Sequence, residues 1–257
     1  MDEARAIIRF RVAGTLRFLS HAEMARVWQR ALARAAQPSL SSRGLDKEGW
    51  AVRYSQGFNP HPRLSLPLPR PVGVEADDER LVVRLDEAGA GTFPDRAERE
   101  TALKQALAEQ MPGGIEILAV DLVPAGASAQ PQTAEYVFPL RVEENPGLVE
   151  RLREAAAQVM AGDRCLVERA AAEGRAARPV DVRPFLESIR VEKGALIVRH
   201  RTGAGGSIRV DEIQRLFGLP TQDLAGPVRR TNVIWTDSKS QTANPKGDPE
   251  DGTGNVD

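Results

Sequence analysis

Apolar residues in the first part of the chain follow the period of a strand and then the period of a helix. Three apolar residues at positions 8–12 alternate with arginines, and this two-residue period predicts a strand with one buried face. Further along, apolar residues recur three and four positions apart, which predicts a helix over residues 21–36. Ser20 and Glu23 have the spacing of a capping box, so we expect the helix to begin at this point.

The same two periods recur in the rest of the sequence. They predict a further strand in two pieces, at 50–54 and 64–68, with a pause at 55–63, and further strands at 81–85, 115–123, 136–140, 165–171, 195–201 and 228–235. They also predict further helices at 92–110, 147–160 and 207–217. Residues 172–194 fit either a loop or a short helix. Each half of the chain follows the order strand, helix, strand, strand, helix, strand. This order is typical of an α+β protein, and we predict two tandem ferredoxin-like (β-α-β-β-α-β) units with antiparallel sheets.

A change of composition suggests where one unit ends and the next begins. Residues 124–133 are rich in Pro, Ala, Gly, Ser and Gln, as flexible linkers are. The end of the sequence is polar and shows no apolar period, which favours disorder. We therefore expect an N-terminal domain at 1–123, a linker at 124–133, a C-terminal domain at 134–236 and a disordered tail at 237–257.

Composition narrows the class of protein. The chain has 257 residues, of which 41% are hydrophobic and 28% charged, enough for two ordinary cores. It has no run of about 18 apolar residues and does not begin with a secretory signal pattern, so we expect a cytoplasmic protein without a membrane span. Cys165 is the single cysteine, and one thiol cannot build a disulfide, an iron–sulfur cluster or a structural zinc site. We expect Cys165 to be a small core residue, and we expect the chain to hold no cofactor.

The net charge of −1 conceals a separation of charge along the sequence. Residues 1–70 carry 12 basic and 5 acidic side chains, residues 71–162 carry 8 and 17, and residues 163–236 carry 13 and 9. Two basic regions therefore flank an acidic one, whose residues 75–79 are expected to form a loop. Most of the basic residues are arginines, whose planar guanidinium groups suit phosphate, although a GC-rich genome would also favour arginine.

Two features of the sequence are candidates for binding phosphate. Arg26, Arg30 and Arg34 recur at four-residue steps and form one stripe on the exposed face of the first helix. Residues 199–210 are predicted to form a strand, a glycine-rich turn and a helix, whose backbone amides can hold an anion. The segment lacks the spacing of a Walker or dinucleotide-binding motif, so an ordinary flexible turn is the expected structure.

The sequence SQGFNPHPR at 55–63 is the most distinctive loop in the chain. It places a flexible glycine, an aromatic ring and an imidazole between two predicted strands, although such a turn also has a purely architectural interpretation. Where this loop meets the first strand-to-helix turn, we predict a polar pocket with two imidazoles. The members of this pocket are Ser20, His21, Gln56, Asn59, His61 and Arg63. Two histidines without a third ligand do not indicate a metal site, so none is expected.

Three segments carry a resemblance to a known family: GTLRFLSH at 14–21, MARVWQRALARA at 24–35 and YSQGFNPHPRLSLPLPRPVGVE at 54–75. In these segments the chain resembles the radical-SAM-linked family, a bacterial domain of unknown function. The match in motifs covers residues 9–75. The chain departs from the family pattern at Ala22-Glu23, where Leu-Asp is usual, and in the insertion at 39–49, which is expected to be a surface loop.

The resemblance implies a partner. Members of the family are encoded beside or fused to a cobalamin-binding-type radical SAM enzyme, often near ribonuclease and ribosomal-protein genes. The partner would hold the cluster and perform the radical chemistry, while this chain would bind or present the substrate. An RNA substrate fits the two basic regions and the predicted fold. The residues expected to contact it are Arg17, Ser20, His21, Arg26, Arg30, Arg34, Ser55, Gln56, Gly57, Phe58, Asn59, His61 and Arg63.

Three hypotheses about function follow. The first is an accessory protein of a radical SAM enzyme that binds or presents a substrate, expected to be RNA. The second is a metal-independent endoribonuclease, with His21 or His61 as general base and an arginine stabilising the phosphorane. The third is a pure protein–protein adaptor. The sequence contains no recognised catalytic motif, so we favour the first hypothesis and assign no catalytic residue.

Overall fold

The computed structural model describes residues 3–35, 51–86, 95–169, 176–203 and 206–237. The strands in these ranges are β1 (Glu3–Val12), β2 (Ala51–Val52), β3 (Leu64–Ser65), β4 (Glu75–Asp86), β5 (Ile115–Pro124), β6 (Ala129–Pro139), β7 (Leu166–Arg169), β8 (Arg178–Asp181), β9 (Leu186–Glu192), β10 (Ala195–Arg201) and β11 (Arg229–Asp237). The α-helices are α1 (His21–Ala35), α2 (Arg96–Ala108), α3 (Leu148–Ala161) and α4 (Val210–Leu216), and none of them is long and apolar enough to cross a membrane. The predicted loop at 39–49 and the predicted tail beyond its first residue lie outside the described residues.

Nine of the described strands form one sheet in which most neighbours are antiparallel. Its main order is β5-β1-β4-β11-β6-β10-β9, and the short strands β2 and β3 both pair with the end of β4. The parallel pair joins Arg229 and Arg230 of β11 to the start of β4. Strands β7 and β8 form a separate two-stranded sheet. The predicted α+β class is confirmed, with four helices in the described part of the chain.

The two predicted units share a single sheet, and their tandem ferredoxin-like arrangement is not confirmed. Strand β11 lies between β4 of the first half and β6 of the second, so the described strands do not divide into two separate antiparallel sheets. Residues 129–133 of the predicted linker belong to β6, in which Ala129 and Pro131 are buried. The proline is accommodated beside an irregularity in the pairing with β11, opposite Trp235. The division into two domains at this point stays a prediction.

Helices α1 and α2 cover one face of the first half of the sheet. Ile8 and Phe10 of β1 and Leu81 of β4 pack there with Trp28 of α1. The rings of Phe10 and Trp28 meet edge to face, with their centroids 4.8 Å apart. Burial of every second residue of β1 on this face explains the alternation in the sequence.

The opposite face of the same strands packs partly against the second half of the chain. Ile7 of β1 and Val123 of β5 belong to a second core, together with Phe138 of β6 and Trp235 of β11. The two halves are therefore held together by apolar packing as well as by strand pairing.

The acidic segment 75–79, predicted as a loop, forms the start of β4. Asp77 forms an ion pair with Arg229 at 2.7 Å, and Glu79 is buried against Arg230. These arginines come 152 and 151 residues later in the chain. The loop prediction is wrong because distant arginines on β11 offset the charge that suggested an exposed segment.

Candidate functional site

The start of α1 is fixed by the predicted capping box. The backbone N–H and the hydroxyl of Ser20 both donate to the carboxylate of Glu23, at 2.8 Å and 2.7 Å, and the N–H of Glu23 donates back to Ser20 Oγ at 3.3 Å. The hydroxyl bond first, and then the backbone bond, hold the pKa of Glu23 below its usual value. His21, the next residue, is exposed at the first position of the helix.

A buried arginine supports the turn that leads into α1. Arg70 is 8% exposed, and its guanidinium group donates hydrogen bonds to backbone carbonyl oxygens. The acceptors are the carbonyls of Leu16, Arg17, Leu19, Pro71 and Val74. Burial lowers the pKa of Arg70, while the nearby charge of Glu79 acts in the opposite direction. Because its hydrogen bonds go to the backbone, Arg70 acts as a support for Ser20 and His21.

The cavity beside His21 is small. It has a volume of about 10 Å³, and Ser20, His21, Met24, Arg70 and Glu79 are among the residues that line it. This volume corresponds to about one water molecule, so the cavity cannot admit a base or a sugar.

Residues 53–63 form a hairpin that leaves the edge of the sheet between β2 and β3. The N–H of Ser55 donates to the carbonyl of His61 at 2.8 Å, and the N–H of His61 donates to Ser55 Oγ at 3.0 Å. Gly57 near the tip has a φ of 141°, a backbone conformation that side chains with a Cβ rarely adopt. These features give the loop a defined shape without a contribution from a helix or a long strand.

Phe58 lies at the tip of this hairpin and is fully exposed, at 102% of its reference area. Its neighbours Gln56, Gly57, Asn59 and Pro60 are exposed as well. Burial of a large apolar side chain lowers the free energy, so a fully exposed ring is available for a partner to cover.

An open cavity of about 460 Å³ lies at the base of the hairpin. Its polar lining consists of Arg5, Ser55, His61, Arg63, Ser65 and Arg84. The described residues that line it include no aspartate or glutamate. Arg63 and Arg84 are exposed at this cavity, while Arg5 is partly buried and its guanidinium group donates to the carbonyl of Ala127 at 2.5 Å. With three arginines and no carboxylate among its described walls, the cavity favours an anion.

His21 and His61 lie on opposite faces of the sheet. Phe10 and Met24, which belong to the core under α1 and α2, line the cavity beside His21. The cavity beside His61 is lined instead by Val82, from the opposite face of β4. The predicted pocket with two imidazoles is not formed, because the hairpin is anchored beside the far end of β4, away from the start of α1.

The predicted stripe of arginines is present on α1. Arg26, Arg30 and Arg34 are all exposed, and Arg34 Nε donates to the carbonyl of Arg30 at 3.3 Å. At the turn before the helix, the guanidinium group of Arg17 lies over the ring of Phe18, 4.3 Å from its centroid. These residues are on the helical side of the sheet, whereas the larger cavity is on the other side. Their role in binding stays a prediction.

Arg5, Ser65 and Arg84 line the larger cavity, although the sequence reasoning did not select them. Arg5 and Arg84 occupy strand positions that alternate with buried residues, and this alternation was visible in the sequence. The missing information was the register of β1 and β4, which places Arg5 directly opposite Arg84.

The fold and the site define an α+β protein with an exposed aromatic hairpin above an arginine-lined cavity. Residues 5–210 of the chain match the family described as "Uncharacterized protein conserved in bacteria (DUF2344)". The match spans most of the chain, which belongs to this family, and it includes α1, the hairpin and the three arginines of the cavity. No curated protein matches the chain.

Proposed function

We propose that this chain is a non-catalytic accessory protein that binds RNA and presents it to a radical SAM enzyme. The observation that carries the proposal is the fully exposed Phe58 on a hairpin whose base borders an arginine-lined cavity. Proteins bind single-stranded nucleic acids through the same two elements, since aromatic rings stack on bases and basic side chains contact phosphates.

Stacking on Phe58 requires little rearrangement of the protein. The hydrogen bonds between Ser55 and His61 already close the hairpin, and the ring stands clear of the surface at its tip. A base that covers the ring removes apolar area from water and gains a stacking contact. This contact is tolerant of sequence, because every base has an aromatic face.

Arginines on both sides of the sheet supply contacts for the RNA backbone. Arg63 is the last residue of the hairpin and lines the cavity, while Arg26, Arg30 and Arg34 are exposed along α1. A guanidinium group can hold a phosphate through two parallel N–H donors, which suits it to this task.

The link to a radical SAM enzyme is supported by the sequence resemblance at 14–21, 24–35 and 54–75. Cys165 is the single cysteine and is buried in the second core, whereas iron–sulfur clusters are usually held by three or four thiolates. In the proposed complex, the partner enzyme therefore binds the iron–sulfur cluster. When the full chain and RNA are added to the reconstituted partner, cleavage of S-adenosylmethionine should increase. The Phe58→Ala chain should fail to produce this increase, and an equal response to both chains would contradict the proposal.

RNA binding itself is tested by comparing Phe58 with another exposed apolar residue. In a fluorescence titration with a single-stranded oligonucleotide, Phe58→Ala should lose about 1–3 kcal/mol of binding free energy, roughly 5- to 150-fold in Kd. Leu166→Ala is the control, because Leu166 is also an exposed apolar side chain, at 63%, but lies on β7, which carries none of the residues proposed to contact RNA. Equal affinities for the wild type and both variants would rule out stacking on the hairpin.

A further inference from the structure

Three arginines lie side by side across β1, β4 and the segment that leads into β3. Arg5 of β1 lies directly opposite Arg84 of β4 in the strand register. On the other side of β4, the N–H of Arg84 donates to the carbonyl of Arg63 at 2.9 Å. Neighbouring strands are about 4.8 Å apart, so the three backbone positions are close, and all three side chains line the same cavity. The guanidinium group of Arg5 also donates to the carbonyl of Ala127, in the turn after β5, at 2.5 Å.

This row differs from the other arginines of β1. Arg9 forms an ion pair with Asp78, and Arg11 forms ion pairs with Asp77 and Glu116. Among the residues whose side chains the structure describes, no acidic residue forms an ion pair with the three arginines of the row. Like charges directly opposite each other across a strand pair destabilise a sheet. A bound anion would remove this repulsion.

The cavity beside the row has the size and the polarity of a ligand site. Its volume of about 460 Å³ lies in the range of small-molecule pockets, and it exceeds what a lone phosphate group would fill. Ser55, Ser65 and His61 add hydrogen-bonding groups to its walls. The remaining room suits the sugar to which a phosphate is attached.

We infer that this cavity binds a phosphate monoester, which under the proposed function, on which this inference rests, is the terminal phosphate of the bound RNA. A monoester carries about −1.5 to −2 charges near neutral pH, whereas each internal phosphodiester carries one. Three clustered guanidinium groups therefore favour the end of the strand over its interior. The exposed Phe58 on the adjoining hairpin receives a base near that end.

The experiment compares three probes with the full chain: an oligouridine with a 5′-phosphate, the same oligouridine with a 5′-hydroxyl, and uridine 5′-monophosphate. The 5′-phosphate should tighten binding of the oligonucleotide about tenfold or more, the value of a charge-assisted hydrogen bond. Arg63→Ala and Arg84→Ala should each remove most of this gain. Arg153→Ala is the control, because Arg153 is exposed on α3 and pairs with Glu150 at 2.5 Å. Circular dichroism of each variant establishes that it is folded.

The outcomes distinguish RNA binding from the terminal-phosphate site. Equal binding of both oligonucleotides overturns the terminal-phosphate site and leaves RNA binding in place. If uridine 5′-monophosphate binds and neither oligonucleotide does, RNA binding is overturned, and the cavity is supported as a site for a small phosphate ester. A 5′-phosphate gain that survives in Arg63→Ala and Arg84→Ala places the phosphate elsewhere and overturns the inference. Failure to bind any of the three probes overturns both claims.

Discussion

Arg230 and Glu79 form a buried ion pair that connects the last described strand, β11, to β4 of the first half. Their side chains are 0% and 5% exposed, and Arg230 Nε donates to Glu79 Oε1 at 2.9 Å. Burial alone would lower the pKa of Arg230, but attraction to Glu79 outweighs it and raises the pKa. Arg230 also donates to the hydroxyl of Tyr136 at 3.4 Å, so the pair is joined to β6 as well.

Removal of the negative charge at Glu79 should destabilise the protein strongly. Glu79→Gln leaves a buried guanidinium group without its counter-ion, and we expect a loss of about 3–5 kcal/mol in the free energy of unfolding. Asp78→Asn is the control, because its partner Arg9 is partly exposed and such pairs contribute about 0.2–1 kcal/mol. Urea unfolding measures the free energy of unfolding of both variants. Equal small losses in Glu79→Gln and Asp78→Asn would show that the buried pair does not hold the two halves together.

The elements with strong periodicity were predictable from the sequence, because their apolar faces are buried locally. The helix predicted at 21–36 is α1 (His21–Ala35), and the strand predicted at 195–201 is β10 with the same bounds. Capping by Ser20 and the alternation of residues in β10 depend on near neighbours in the chain, which the sequence displays directly.

Two of the predictions that failed depend on distant partners. The charge at the start of β4 predicts a loop, because Arg229 and Arg230, which offset that charge, follow about 150 residues later. The predicted meeting of His21 with His61 required knowledge of which sheet face each loop approaches. Periodicity along one strand does not contain that information, since it is set by the pairing between strands.

Stability should fall in acid partly through Glu212, which is fully buried beside Arg169. Burial would raise the pKa of Glu212, but hydrogen bonds from Arg169 and from the N–H of Arg209 outweigh it and lower the pKa. The stabilisation is therefore complete above the ordinary value of 4.5 and is lost as the pH falls through the lower folded-state pKa.

The variant Glu212→Gln isolates this contribution from those of other carboxylates. The wild type should exceed the variant in free energy of unfolding near neutral pH, and the difference should shrink as Glu212 becomes protonated and resembles glutamine. Urea unfolding over a series of pH values measures this difference. A difference that stays constant from neutral to acidic pH would contradict the assignment.

Cys165 should be unreactive in the folded protein. Its thiol is 8% exposed, and burial first, then the charge of Asp181, raise its pKa and disfavour the reactive thiolate. A colorimetric thiol reagent should therefore react with one thiol per chain in denaturant and with almost none in buffer near neutral pH. Rapid reaction of the folded chain would show that the second core opens at this point.

The arginine stripe on α1 should contribute affinity without selectivity. The double change Arg30→Ala and Arg34→Ala should weaken RNA binding to a similar extent for all sequences. It should also make the plot of log affinity against log salt shallower by about 0.7 for each lost phosphate contact. Arg153→Ala again serves as the control, and a slope equal to that of the control would show that the stripe does not contact phosphates.

Whether the chain binds RNA without cutting it is tested most directly by one measurement, in which binding and integrity are followed on the same end-labelled single-stranded RNA. At about 50 mM salt we expect saturable binding that weakens as the salt concentration rises, with the RNA still full-length after incubation. Absence of binding under these conditions would contradict the account and favour a protein adaptor. Cleavage that is abolished by His61→Ala or His21→Ala, with affinity retained, would contradict it in favour of a ribonuclease.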